Sequence, residues 1–155
     1  MNFSQLLNEK LMQVPLRADG REEAFAQLAQ GLQHYGYVKD SYFKALLNRE
    51  STFPTGLCTG EINVALPHTD VEHVLQPAIA VGVLEKPVRV ASMDNPQKEI
   101  DVSIIFMLAL KNAHDQPKFL EKLVVLFGNK VLLRSLSAAK DVKTAYRLLL
   151  AALAG

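Results

Sequence analysis

Apolar residues along this chain recur at two different periods, and the alternation between them lays out the elements. Leu11–Leu16 alternates weakly, as a first strand does. In REEAFAQLAQGLQHYG, Phe25, Leu28, Leu32 and Tyr35 recur every three or four residues, which makes one apolar helix face. Asp19 is placed to cap that helix, Glu22 and Glu23 suit the dipole of its first turn, and Gly36 ends it. Asp40 opens a second helix, DSYFKALLNRE, with Tyr42 or Phe43, Ala45, Leu46 and Leu47 inward. Pro54, Gly56 and Gly60 punctuate Ser51–Gly60, which reads as a loop. Short strands follow at Ile62–Leu66 and Pro77–Leu84, and Val88–Ala91 extends or pairs with the second beyond Pro87. Asp94–Pro96 is a turn. Val102–Leu110, VSIIFMLAL, is almost wholly apolar, as a central strand covered on both faces must be. Pro117 fits the first turn of a helix carrying Phe119, Leu120, Leu123, Val124 and Phe127 as its stripe and ending at Gly128. Asn129–Leu136 predicts a short helix. Lys140–Leu153 predicts a last one, with Val142, Ala145, Tyr146, Leu149 and Leu153 on one side.

A strand, two helices, several strands and then more helices leave both sheet faces in need of cover. The expected fold is α/β: a three-layer α/β/α sandwich with a mixed β-sheet flanked by helices. The 155 residues, 1–155, are expected to form a single domain, and 49% of them are apolar, enough for a core. The 17 basic and 16 acidic residues nearly cancel, which argues against a nucleic-acid surface. Cys58 is the one cysteine, so no intramolecular disulfide forms, and it is expected to be a partly buried thiol. The N-terminal segment has no basic stretch before an apolar run, and no apolar run approaches the ~20 residues that span a bilayer. A soluble, cytoplasmic protein without direct membrane insertion is expected; any service to a membrane process would be by docking.

Candidate chemistry sits on the histidines: His34, His68, His73 and His114. His34 lies at a helix end, where an imidazolium complements the dipole. His68 differs. Pro67 cannot extend a strand ladder, so the chain leaves the sheet there and the next side chain sits at a strand end, where α/β folds place their sites. Three chemistries are open to His68. With Asp70 and His73 it could ligate zinc, although this spacing is a weak metal signature. It could be a general base, although no G-x-S-x-G elbow offers it a serine. It could itself be the nucleophile, taking a phosphoryl group on a neutral ring nitrogen. No Walker A motif is present, so such a phosphate would not come directly from a P-loop site.

NREST (48–52), FPTG (53–56) and VALPHTD (64–70), taken together, resemble the enzyme IIA component of the sugar phosphotransferase system, fructose/mannitol superfamily. The likeness spans essentially the whole chain, with Leu66 where isoleucine is usual before Pro-His. FPTG and its longer distance to Pro-His look closest to the galactitol-type branch. The resemblance implies a phosphotransferase working through a phosphohistidine intermediate. His68 would accept phosphate from the phosphocarrier HPr, at Nε2 by the family's habit. It would pass it to a cysteine of a IIB component that serves a membrane IIC component. Arg49 would contact the phosphoryl oxygens with its fixed fork of donors. Thr55 would add a hydroxyl donor or else cap the turn. At the family's second-histidine position an ungapped match gives Gln116, with His114 two residues earlier as the other candidate. No cofactor and no metal are implied. His73 has no counterpart and reads as a surface residue; Asp70 receives no role. The alternative is a regulatory, nitrogen-type IIA-like protein that binds partners according to its phosphorylation state.

Overall fold

The computed structural model describes residues 3–112 and 116–153. Ten principal elements follow in order: β1 (Leu7–Leu16), α1 (Arg21–His34), α2 (Tyr42–Thr52), β2 (Gly56–Leu57), β3 (Asn63–Ala65), β4 (Ala78–Ala91), β5 (Glu99–Ala109), α3 (Gln116–Phe127), α4 (Lys130–Ser137) and α5 (Val142–Leu153). The five strands form one sheet in the order β1-β4-β5-β3-β2. β1 runs parallel to β4 and β3 parallel to β5, whereas the β4–β5 and β2–β3 pairs are antiparallel. The mixed sheet and its helical cover match the sandwich expected from the pattern.

Alternation along β4 and β5 sends successive side chains to opposite faces. Ala78, Ala80, Ile105, Met107 and Ala109 join Phe25, Leu28 and Leu32 of α1 and Tyr42 and Leu46 of α2 in one buried cluster. Ile79, Val81, Val83, Ile104, Phe106 and Leu108 face the other way, onto Phe119, Leu123 and Phe127 of α3, Leu133 and Leu136 of α4, and Ala145 and Leu149 of α5. Towards α1, β4 begins with the small residues Ala78, Ala80 and Gly82, and a Cβ on Gly82 would stand 2.6 Å from Leu16 Cδ2 and 3.2 Å from Leu28 Cδ1. That side of the sheet is thus cut away to let α1 settle.

Several boundaries differ from the sequence reading, each for a physical reason. β4 runs through Pro87 in one piece, because the pairing with β5 slips between Val83 and Val88 and the bulge absorbs the missing N–H. Gly20, not Asp19, caps α1, while the Asp19 N–H donates to the Glu23 carboxylate at 3.2 Å. α2 begins at Tyr42 after Ser41 and continues to Thr52, and the following stretch contains the short strand β2 rather than loop alone. Tyr35 lies past the last residue of α1 and leaves its apolar face, so its ring is exposed and meets His34 edge-on at 4.9 Å. In α3 the buried stripe is Phe119–Leu123–Phe127, one every fourth residue, which turns Val124 outward. Cys58 is exposed, because Leu57 takes the inward position of β2 and the next side chain must point out. Among the described residues no helix is long and apolar enough to cross a membrane.

Candidate functional site

β3 ends at Ala65, and Leu66, Pro67 and His68 carry the chain off the sheet between β5 and the end of α2. The segment is fastened on two sides. The Leu108 N–H donates to the Pro67 carbonyl at 3.0 Å, and the buried Tyr42 hydroxyl donates to the Leu108 carbonyl at 2.6 Å. Burial pushes the Tyr42 phenol far above its ordinary value, so it stays a donor. On the other side the Leu66 N–H reaches both Thr55 Oγ1 at 3.2 Å and the Thr55 carbonyl at 3.3 Å.

The half-buried His68 ring then folds back on its own strand end, with Nδ1 2.7 Å from the Leu66 carbonyl. A carbonyl only accepts, so Nδ1 carries the hydrogen, and in the neutral ring the lone pair is left on Nε2. Burial pushes the His68 imidazole below its ordinary value of 6.5, and the Arg49 guanidinium acts in the same direction. The hydrogen bond to Leu66 and the Asp70 carboxylate oppose this, without reversing it. At neutral pH the ring is uncharged and holds one tautomer, with Nε2 basic and nucleophilic.

Arg49 stands in the last turn of α2, with Nη1 3.6 Å from Asp70 Oδ1 and its guanidinium over the Phe53 ring at 5.4 Å from the centroid. Phe53 is 63% exposed. A groove of about 320 Å³ opens here, lined by Asn48, Arg49, Thr52, Phe53, Thr69, Asp70 and His73 among others. It offers a guanidinium, an amide and hydroxyls next to the residue that follows His68 in sequence, a donor set suited to an oxyanion. A larger cavity of about 520 Å³ lies between the start of α1 and the end of α2, lined by Arg21, Glu50, Ser51 and Glu99. Among the described residues no histidine or cysteine lines it, so the candidate site is the smaller groove beside His68.

The structure therefore sets Arg49 and Asp70 3.6 Å apart, with both charges near enough to act on the His68 ring. Thr55 is buried at 5% exposure and its hydroxyl proton goes to Glu50 Oε1 at 2.8 Å. His114 lies outside the described residues, and Gln116 is the first residue of α3 with only its backbone described. His73 is partly exposed at the edge of the groove, with Nδ1 2.8 Å from Ser41 Oγ and its carbonyl accepting from the Lys39 N–H at 2.9 Å. Among the described residues no three His, Cys, Asp or Glu side chains converge as a metal set, so the His68, Asp70 and His73 grouping does not form one.

Sequence reasoning passed over Glu50. It is half-buried, and the loss of solvent raises its carboxyl above the ordinary value, while hydrogen bonds from Thr55 and the charge of Arg21 work against that rise. Glutamate at the solvent-leaning end of an amphipathic helix gives no sign of burial, and only the return of the chain at Thr55 creates its partners.

The sequence model for the phosphoenolpyruvate-dependent sugar phosphotransferase system EIIA 2 family matches residues 5–152. The galactitol-specific EIIA component of Escherichia coli (strain K12) is 29% identical over 108 residues, covering 70% of this chain and 69% of that protein. The fructose-specific EIIABC component of Bacillus subtilis (strain 168) is 29% identical over 111 residues, covering 70% of this chain and only 16% of that much longer protein. Among solved structures, enzyme IIAMTL in its complex with phosphorylated enzyme IIBMTL from Escherichia coli superposes with a TM-score of 0.77 at 23% identity, covering 94% of this chain and 97% of that one. A strand-end Pro-His flanked by an arginine, in a chain matched almost from end to end, places the protein in the EIIA 2 family of the phosphoenolpyruvate-dependent sugar phosphotransferase system.

Proposed function

We propose that this protein is a cytoplasmic phosphoryl carrier, taking a phosphoryl group from phospho-HPr onto His68 Nε2 and delivering it to a cysteine of a IIB component during sugar or polyol uptake. The observation that carries the reading is the 2.7 Å contact between His68 Nδ1 and the Leu66 carbonyl, which leaves Nε2 as the free nucleophile. In the transfer the Nε2 lone pair forms a new N–P bond while the P–N bond to the donor imidazole breaks, its electron pair returning to the donor nitrogen. The Nδ1 hydrogen stays on the acceptor ring, and the Leu66 carbonyl stabilises the positive charge that develops there.

Chemistry of this kind asks the protein mainly for position and charge stabilisation. Arg49 supplies the charge: its fork engages two phosphoryl oxygens, and on arrival of the phosphate it exchanges the loose 3.6 Å contact with Asp70 for a dianion. The exposed Phe53 beside it gives a partner an apolar foothold at the rim. The family resemblance adds Gln116 or His114, at the second-histidine position, as a further contact for the phosphoryl oxygens. A galactitol-type branch is supported by the FPTG stretch and by the likeness to the galactitol EIIA component.

The test is reconstitution with enzyme I, HPr and phosphoenolpyruvate, followed by mapping of the phosphate by mass spectrometry under alkaline conditions. One acid-labile phosphate on His68, lost in His68→Ala and discharged onto a IIB domain, is the expected result. Labelling that persists in His68→Ala removes His68 from the role. Phosphate that forms on His68 but passes to no IIB domain turns the reading towards a regulatory, nitrogen-type IIA-like protein.

A further inference from the structure

We infer that Glu50 and Thr55 are positioning residues for the His68 ring, acting from the core side through the backbone of Leu66. The inference deepens the carrier reading and rests on His68 being the acceptor. Glu50 follows Arg49 in sequence but points elsewhere, because neighbouring side chains on a helix are turned about a quarter of the way round from one another. Arg49 lines the groove beside His68, and Glu50 lines the larger cavity behind it.

From there the Glu50 carboxylate takes both donors that Thr55 offers, the N–H at 3.0 Å on Oε2 and the hydroxyl at 2.8 Å on Oε1. With its proton so committed, Thr55 Oγ1 presents a lone pair to the Leu66 N–H at 3.2 Å. The backbone of Leu66 is thereby held at its N–H, and across its Cα the carbonyl of the same residue takes the Nδ1 hydrogen of His68 at 2.7 Å. Three consecutive links join the carboxylate to the ring that does the chemistry.

A carboxylate is a poor choice for this place on grounds of stability alone. Burial opposes its charge, and so does the negative end of the α2 dipole, since Glu50 lies in the last turns of that helix. What a carboxylate does there, and an amide cannot, is accept on both of its terminal atoms, one Thr55 donor on each oxygen. Glutamine would set an NH₂ group against one of the two Thr55 donors. Gly56 fixes the distance over which this works: a Cβ there would stand 2.5 Å from the Ala91 carbonyl oxygen, so the chain passes directly against β4 and Thr55 has no room to shift.

The experiment compares Glu50→Gln, Thr55→Val and Thr55→Ser with the parent protein by two readouts. Nitrogen NMR of the His68 ring reports which nitrogen carries the hydrogen, and phospho-HPr reports the rate of phosphoryl acceptance. Glu50→Gln and Thr55→Val are expected to unfold cooperatively, to show a mixture of ring tautomers, and to accept phosphate about ten- to a hundredfold more slowly, the cost of a misplaced reacting atom. Thr55→Ser, which keeps the hydroxyl, is expected to restore both. If Glu50→Gln does not fold, Thr55→Val against Thr55→Ser carries the test, with Thr55→Ala in reserve for the valine. A single Nδ1–H tautomer and unchanged rates in folded variants overturn the inference. If the parent protein takes no phosphate while the ring tautomer still answers to these substitutions, the carrier reading falls and the positioning role stands.

Discussion

The two walls of the His68 site are built on opposite plans. The inner wall, Pro54–Gly56 with Leu66 and Pro67, is buried and hydrogen-bonded at nearly every polar atom, from Glu50 through Thr55 on one side and from Tyr42 through Leu108 on the other. The outer wall, Arg49, Phe53 and Asp70, is open to solvent and joined by a 3.6 Å ion pair between side chains 38% and 69% exposed. Such a pair contributes at most about 1 kcal/mol and is screened by salt. The difference teaches a division of labour. A phosphoryl acceptor needs its nucleophile held in one tautomer before the partner arrives, which only a desolvated hydrogen-bond network can do. In the proposed carrier role, the groups that would grip the phosphate must instead be free to leave Asp70, reach the incoming oxygens and release them again.

The comparison is broken most severely at Gly56. Gly56→Ala drives a Cβ into the Ala91 carbonyl oxygen, 2.5 Å away, and neither backbone can yield cheaply. A loss of about 2–3 kcal/mol in denaturant unfolding is expected, with slower phosphoryl acceptance as the inner wall shifts. Tyr42→Phe leaves the fold intact but removes the donor to the Leu108 carbonyl, with about 1–2 kcal/mol lost by the same measurement.

Arg49→Lys probes the outer wall and should reverse the pattern. Acceptance from phospho-HPr slows about tenfold, because an ammonium cannot fork across two oxygens, while stability stays within about 0.5 kcal/mol. Equal losses of stability at Gly56 and Arg49 would erase the contrast between the walls.

The smallest effects are electrostatic and opposite in sign. Arg49→Gln removes a charge that lowers the His68 midpoint and should move the ring titration upward; Asp70→Asn removes one that raises it and should move the titration downward. Both are read by NMR titration of the ring. In the parent protein, acceptance should persist below pH 6.5 and fail only as the neutral imidazole is lost, at the depressed midpoint of the folded state. The sign for stability follows from the same shift. Between that midpoint and 6.5 the folded chain binds fewer protons at His68 than the unfolded one. Stability through this group therefore rises with pH across the window and is lost as pH falls through it. A His68 midpoint above 6.5 would contradict the desolvated ring described here.

Much of this molecule is legible in one dimension. The apolar run Val102–Leu110 announced a strand covered on both faces, and β5 is buried between α1 and α2 on one side and α3 to α5 on the other. Three- and four-residue spacing located the helices, and Pro67 marked where β3 must release the chain, which put His68 at a strand end. These readings rest on local rules: periodicity, a missing N–H, a dipole. Nothing local showed that Glu50 would take both Thr55 donors, that His73 would meet Ser41, or that Thr55 would brace Leu66. Each of those was decided by residues brought back from elsewhere in the chain: Thr55 onto Glu50, Ser41 onto His73, Leu66 onto Thr55. A hydrogen bond between such groups gains its strength from burial, and burial is a property of the assembled layers, not of any stretch of sequence.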